Sequence, residues 1–478
     1  MSSDSSTNRR ALWTFAVTSA AGFMAALDNL VVTTALPAIR RHLGGGLADL
    51  EWTVNAYTLT FAVLLMSGAA LGDRFGRRRL FGIGLGIFTL ASLGAALAPD
   101  IGSLIAARAV QGAGAAILLP LTLTLLSAAV PANRRGLAFG AWGAVNGLAI
   151  ALGPLVGGAI VQHLSWQWIF ALNVPVGLVL LPLSRFRLTE SRGPNDGLDV
   201  VGTALASAGL FGIVLGVIRG NSDGWSSPLV LAGLLGGVVL LAAFLLWEAR
   251  TAHPLLPLRL YRRRAFGAVN AASLLMSAGM FGSIFLLSQF LQIAEGYSPM
   301  TVGLRLLPWT GMPMIVAPVA GALSDRISGR TLIAVGLTLQ ATSLGWLALL
   351  LGPHMSYAAQ VPPFVLGGTG MALFFAPLAN VLMSSVRPEE QGVASGANSA
   401  MREVGGALGV AVLTSVFTAH GDYTSARRFA DGLVPAVWTG AAAITAAAVA
   451  ILFVPVRRAP ASGGADSSDQ RPMLESAP

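Results

Sequence analysis

Fourteen separate stretches of this chain each hold about 20 residues that are predominantly apolar, the length a helix needs to cross a bilayer. They lie roughly at 12–35, 52–71, 80–98, 103–126, 137–161, 167–184, 199–218, 227–247, 266–293, 300–323, 331–351, 357–385, 395–418 and 433–455. Only 11% of the 478 residues are charged and 54% are hydrophobic. A soluble domain carries about 25% charged residues, so these charges are too few to cover a soluble surface of this size. Glycine, at 57 residues, is frequent as expected where helices pack closely in lipid. An all-α integral membrane protein is predicted.

All 30 basic residues are arginine, and their placement orients the chain. With fourteen spans and both ends on one side, 22 arginines fall in segments on that side and five on the other (Arg40, Arg41, Arg219, Arg427, Arg428). Three lie within spans: Arg108, Arg305 and Arg402. The positive-inside rule makes the rich side cytoplasmic, with both termini there. The +9 net charge is therefore topological, and its dispersal over short loops argues against a nucleic-acid partner. Residues 1–11 read as a short polar cytoplasmic terminus, followed by a retained helix rather than a signal peptide. Residues 12–184 read as one six-helix bundle and 185–265 as cytoplasmic loops with two inserted helices. Residues 266–455 read as a second bundle and 456–478 as a disordered tail.

The absence of lysine and cysteine removes several chemistries. No P-loop lysine, Schiff-base lysine, thiol nucleophile, disulfide or thiolate metal site is available. The five scattered histidines form no metal motif, and no cofactor is expected. Without a nucleotide motor in the chain, uphill work would draw on an ion gradient. An internal repeat organises the two halves. Asp73-Arg74 recurs as Asp325-Arg326 at an offset of 252. Gly112, Gly114 and Ala116 recur as Gly368, Gly370 and Ala372 at 256, as does Gly136-x-Ala138-x-Gly140 at Gly392-x-Ala394-x-Gly396. Parallel repeats of this kind suit alternating access, one bundle rocking against the other around a central site.

The loop Gly72-Asp73-Arg74-Phe75-Gly76-Arg77-Arg78-Arg79 resembles the signature loop after the second helix of the major facilitator superfamily, with Ala69 in place of the family's leading glycine. Leu27-Asp28, Trp166-Gln167-Trp168-Ile169-Phe170, Asn173-Val174-Pro175-Val176-Gly177 and Gly296-Tyr297-Ser298-Pro299 resemble its fourteen-helix drug:proton antiporter branch. The resemblance spans about residues 12 to 455. It implies two six-helix bundles plus two inserted helices. It also implies a conformational latch at Asp73, Arg74, Gly76 and Arg77, with its repeat copy at Asp325 and Arg326, and a proton-coupling role for Arg108. Gly153-Pro154-Leu155-Val156-Gly157-Gly158 is similar to the antiporter motif, whose glycines and proline would give a tightly packed, bent helix at the bundle interface.

The residues carry their own argument. A carboxylate at a helix end, as at Asp73, can accept from backbone N–H groups of a neighbouring helix and pair with arginine. Asp28 lies deep in the first span, where an ionised carboxylate is strongly disfavoured without partners. Proton or cationic-substrate binding there is the sharper reading, a hydrogen-bonded structural aspartate the plainer one. Arg402 and Glu403 are adjacent and so point about 100° apart, and one of them is expected to face the central cavity. Glu295 and Arg305 are expected to pair near the outer surface. Phe281, Phe285, Gln289 and Gln292, with Trp309 and Asn146, are the candidate substrate-cavity residues. The combined expectation is a proton-coupled exporter of amphipathic small molecules in a bacterial plasma membrane, working as a monomer with no cofactor. The rivals are a metabolite symporter or exporter and, from another class, a membrane-embedded enzyme.

Overall fold

The computed structural model describes residues 2–44, 47–131, 134–193, 199–252, 254, 256–324, 326–352 and 355–454. The first half comprises α1 (Ser2–Leu43), α2 (Leu47–Phe75), α3 (Arg77–Ala96), α4 (Ile101–Ala129), α5 (Arg135–His163), α6 (Trp168–Ala171) and α7 (Asn173–Arg187). Helices α6 and α7 form a single crossing. Next come α8 (Val200–Asp223) and α9 (Pro228–Glu248). The second half comprises α10 (Arg264–Gln289), α11 (Pro299–Thr310), α12 (Met312–Ser324), α13 (Gly329–Leu350), α14 (Tyr357–Ser385), α15 (Gln391–His420) and α16 (Ala426–Ile451). No β-strand occurs among the described residues.

Thirteen crossings are long and apolar enough to span a membrane among the described residues. The 29-residue α5 packs among them against α1 and α12. The first helix departs from expectation at both ends, beginning at Ser2 and running to Leu43 rather than covering 12–35. Arg40, Arg41 and His42 fill its last turn, where cations favour the negative end of the helix dipole. The tenth crossing is broken at Gly311 between α11 and α12, with Pro308 and Pro313 on either side. Neither proline has an N–H to give to the helix ladder. The C-terminal segment expected to be disordered, like Asp325 and the Pro154 side chain, lies outside the described residues.

The halves repeat in space as they do in sequence. Helix α1 packs on α5 as α10 packs on α15, and α3 packs on α4 as α13 packs on α14. Gly112 sits on the Tyr57 carbonyl of α2, and its repeat mate Gly368 sits on the Trp309 carbonyl of α11. A side chain at Gly114 would meet the Phe88 amide nitrogen at 2.7 Å; one at Gly370 would meet the Gly336 carbonyl at 2.5 Å. These positions are held to glycine by backbone approach, the use small residues have between membrane helices.

The most extensive contacts between the halves are α5 on α12 and α2 on α15. Gly140 lies 2.9 Å, measured from where a Cβ would stand, from Gly321 Cα; Gly396 lies 2.7 Å on the same measure from Ala69 Cβ. Ala69 and Gly321 are repeat mates at the 252 offset, so the family position that departs from glycine stands at one of the two symmetry-related contacts. Helices α8 and α9 pack on each other, and α8 leans on this seam at α2 and α15. The Ser207 hydroxyl of α8 donates to the Val63 carbonyl at 3.1 Å.

Candidate functional site

Asp28 is held inside the first half by three donors from two helices, α4 and α7. Arg108 Nη1 on α4 donates to its Oδ2 at 2.5 Å. Gln111 Nε2, one turn further along α4, donates to Oδ1 at 2.9 Å, and Asn173 Nδ2 at the start of α7 donates to Oδ1 at 2.7 Å. Ser92 Oγ on α3 accepts from Gln111 at 3.2 Å and Asn173 at 2.9 Å while donating to the Phe170 carbonyl at 2.9 Å. Arg108 Nε donates to the Thr53 carbonyl at 3.1 Å, and its guanidinium carbon stands 4.3 Å from the Tyr57 ring centroid. The Asp28 and Arg108 side chains are both 0% exposed. Sequence reasoning singled out both residues without joining them. It gave no role to Asn173, Ser92 or Tyr57, which complete the enclosure. Polar residues at membrane depth were the available signal for Ser92 and Asn173.

The second charged cluster is built differently. Arg402 and Glu403 on α15 are half-buried. Arg402 stands with its guanidinium carbon 5.0 Å from the Phe375 ring centroid, and its Nε has no hydrogen-bond partner. Among the described residues Glu403 makes no hydrogen bond or ion pair. Glu403 follows Gly396 by seven residues and Gly392 by eleven, both near whole numbers of helical turns. It therefore continues the face of α15 that Gly392 and Gly396 turn toward α2. Tyr57 of α2 is within electrostatic reach of Asp28, Arg108 and Glu403 together.

At the arginine-rich end, the Asp73 carboxylate lies over the first turn of α15, against Gly392 and Val393. It pairs with Arg77 at 2.7 Å. Arg77 Nη2 reaches across the seam to the Glu389 carbonyl at 3.1 Å. The adjoining Glu390, missed in the sequence, is 3% exposed and holds Arg387 at 2.8 Å and Arg259 at 3.0 Å. It thereby ties the chain between α9 and α10 to the turn that Arg77 grips. Gly76 has φ +108°, open only to glycine without strain, and a side chain there would meet the Glu190 carboxylate. Arg74 stacks near Phe75, and Arg326 is exposed.

Several expected placements change. Gly153 and Gly157 pack against Leu30 and Val31 of α1, inside the first half; the α5 glycines that meet α12 are Gly140, Gly143 and Gly147. Gly158 is half-buried on the same helix. Trp309 is 1% exposed and packs on Phe364 inside the second half, so it does not line an open cavity. Asn146 donates to the Trp142 carbonyl at 2.8 Å and faces Gly22 of α1. Phe281 is exposed and faces Gly406; Phe285 and Gln289 are half-buried; Gln292 is exposed and donates to Ser288 at 3.1 Å. Glu295 and Arg305 are not an ion pair, because Arg305 lies between the Tyr297 and Tyr357 rings, 3.8 and 5.0 Å from their centroids.

The family described as Major Facilitator Superfamily matches residues 18–199 and 197–410. The multidrug resistance protein Stp of Mycobacterium tuberculosis is 37% identical over 414 residues, covering 86% of this chain and 77% of Stp. The tetracenomycin C resistance and export protein of Streptomyces glaucescens is 34% identical over 434 residues, covering 90% and 80% respectively. Among solved structures, a proton:xylose symporter superposes with a TM-score of 0.66 at 15% identity, covering 94% of this chain and 97% of that one. Two repeated bundles joined at two glycine-lined crossings, with matches of this extent along the chain, place it in the major facilitator superfamily.

Proposed function

We propose that this protein exports amphipathic small molecules, of the drug or antibiotic class, across a bacterial plasma membrane in exchange for protons. The observation that carries the proton half is Glu403, a carboxylate at membrane depth that makes no hydrogen bond or ion pair among the described residues, on the face of α15 that meets the other half. The Asp28 carboxylate is by contrast closed in by Arg108, Gln111 and Asn173. The names of the relatives, multidrug resistance and tetracenomycin export, support the substrate class.

The arginine-rich end is read as cytoplasmic, with both termini there. The Asp73 latch and the Gly140 and Gly396 contacts then close the cytoplasmic side and leave the protein facing outward. A proton from outside neutralises Glu403 and favours substrate release. The latch opens, the site turns inward, and the proton leaves as substrate binds. Each ligand shifts this equilibrium only through its differential affinity for the two states. One chain holds both halves of the seam, so the proposed unit is the monomer.

The test is a panel of amphipathic antibiotics and dyes in an efflux-deficient host expressing the protein, with and without a proton uncoupler. Lowered accumulation that returns to the control level with uncoupler is expected. Unchanged accumulation for every compound overturns export, and a reduction that survives the uncoupler overturns proton coupling.

A further inference from the structure

A cavity of about 570 Å³ opens at the arginine-rich end of the first half, between the start of α1 and the end of α7. Arg9, Arg10, Arg78 and Arg187 line it together with Trp13, and Glu190 is the one carboxylate among its described lining residues. That carboxylate is already engaged. It accepts from the Arg78 and Arg79 amides at 2.9 and 3.3 Å, capping the start of α3, and lies 3.6 Å from Arg78 Nε. Arg9, Arg10 and Arg187 make no ion pair among the described residues. The Arg187 guanidinium carbon is instead 4.8 Å from the Trp13 ring centroid. Three guanidinium groups thus border one cavity with no ion pair of their own among the described residues.

Bare apolar side chains stand in and next to this lining. Phe186, in its lining, is 77% exposed, and Leu12, beside Trp13, is 66% exposed. Arginines above, a tryptophan at the boundary and bare apolar side chains below follow the layers of a lipid leaflet from headgroup to acyl chain. A soluble phosphate would satisfy the arginines and leave Phe186 and Leu12 bare.

We infer that this cavity binds an anionic phospholipid of the phosphatidylglycerol class, its phosphate held by Arg9, Arg10 and Arg187 and its acyl chains lying along Phe186 and Leu12. The wall of the cavity continues into the latch. The Ser191 carbonyl accepts from the Arg77 amide at 2.9 Å, and the Gly193 amide donates to the Asp73 carbonyl at 2.8 Å. A lipid in the cavity therefore sits beside the segment strapped to Asp73.

The full chain in neutral detergent, titrated with phosphatidylglycerol, phosphatidylcholine or glycerol phosphate and followed by thermal unfolding and native mass spectrometry, tests this. Phosphatidylglycerol is expected to raise the Tm and remain bound, while the other two do neither. An arginine near an anionic surface is worth about fivefold in affinity, so Arg9→Gln/Arg10→Gln/Arg187→Gln is expected to lose roughly 100-fold. The corresponding triple lysine variant, which keeps the charge, is expected to retain most of it. Equal phosphatidylglycerol binding by the glutamine variant, or glycerol phosphate binding as tightly as the lipid, overturns the inference. If the glutamine variant fails to fold, a photoreactive phosphatidylglycerol on the unaltered protein decides. Crosslinks within 9–13 and 185–190 support the site, and crosslinks confined elsewhere overturn it.

Discussion

The two halves bury charge in opposite ways. In the first half, Asp28 and Arg108 are wholly enclosed and share a hydrogen-bonded network with Gln111, Asn173 and Ser92. In the second, Arg402 and Glu403 are half-buried neighbours on one helix, and Glu403 bonds to nothing described. An ion taken from water is tolerable only when paired and hydrogen-bonded, or when it can become neutral. The first cluster meets the former condition. The second has no such network among the described residues, and on the function proposed above it meets the latter by taking up a proton. Residue type and depth alone did not separate the two; their partners did.

The strongest attack on this comparison is to unbalance the enclosed pair. Arg108→Gln leaves the Asp28 charge buried without its cation, and removing one partner of a buried pair costs about 3–5 kcal/mol. Loss of monodisperse protein or a large fall in Tm is expected. Adding Asp28→Asn removes the stranded charge, so the double variant is expected to be more stable than Arg108→Gln alone. A double variant no better than the single would mean that the two residues do not act as a pair.

A smaller effect is expected at the seam. A side chain at Gly140 runs into backbone of α12, at the Ala317 carbonyl and Gly321 Cα. Overpacking of this kind costs roughly 1–3 kcal/mol, and Gly140→Val places that cost on the state in which α5 and α12 are in contact. Spin-label distances across the arginine-rich end should then shift toward the open population. Gly153→Val presses on the Leu30 side chain within one half, so it should lower the Tm without moving those distances.

The chain's organisation was readable because lipid imposes it. Apolar length marked where the crossings lie, and the 252 and 256 offsets gave the pairing of the halves. The site was readable only as isolated residues. Asp28 and Arg108 are 80 positions apart, and nothing local to either shows that their side chains meet. Gly153 matched a motif by type, yet the helix it touches is set by the rotation of α5, which composition does not encode. Glu390 has Arg387 beside it in sequence, but Arg259 and Arg263 come from a segment that meets it only on folding.

The last prediction has the smallest effect on stability and the most to say about function. Glu403→Gln keeps the shape of the side chain and breaks no hydrogen bond or ion pair, so unfolding should change by less than about 1 kcal/mol. The glutamine cannot take up a proton. In proteoliposomes carrying a transported dye, a proton gradient should drive exchange by the parent protein and not by Glu403→Gln, while downhill dye movement persists in both. The Arg402 charge beside it is unchanged, so substrate affinity is expected to change less than coupling. Gradient-driven exchange that survives in Glu403→Gln would move the proton elsewhere, and Asp28→Asn then becomes the decisive variant. Loss of coupling there, with Glu403→Gln intact, would mean that the enclosure around Asp28 opens during the cycle and that its buried pair belongs to one conformation only.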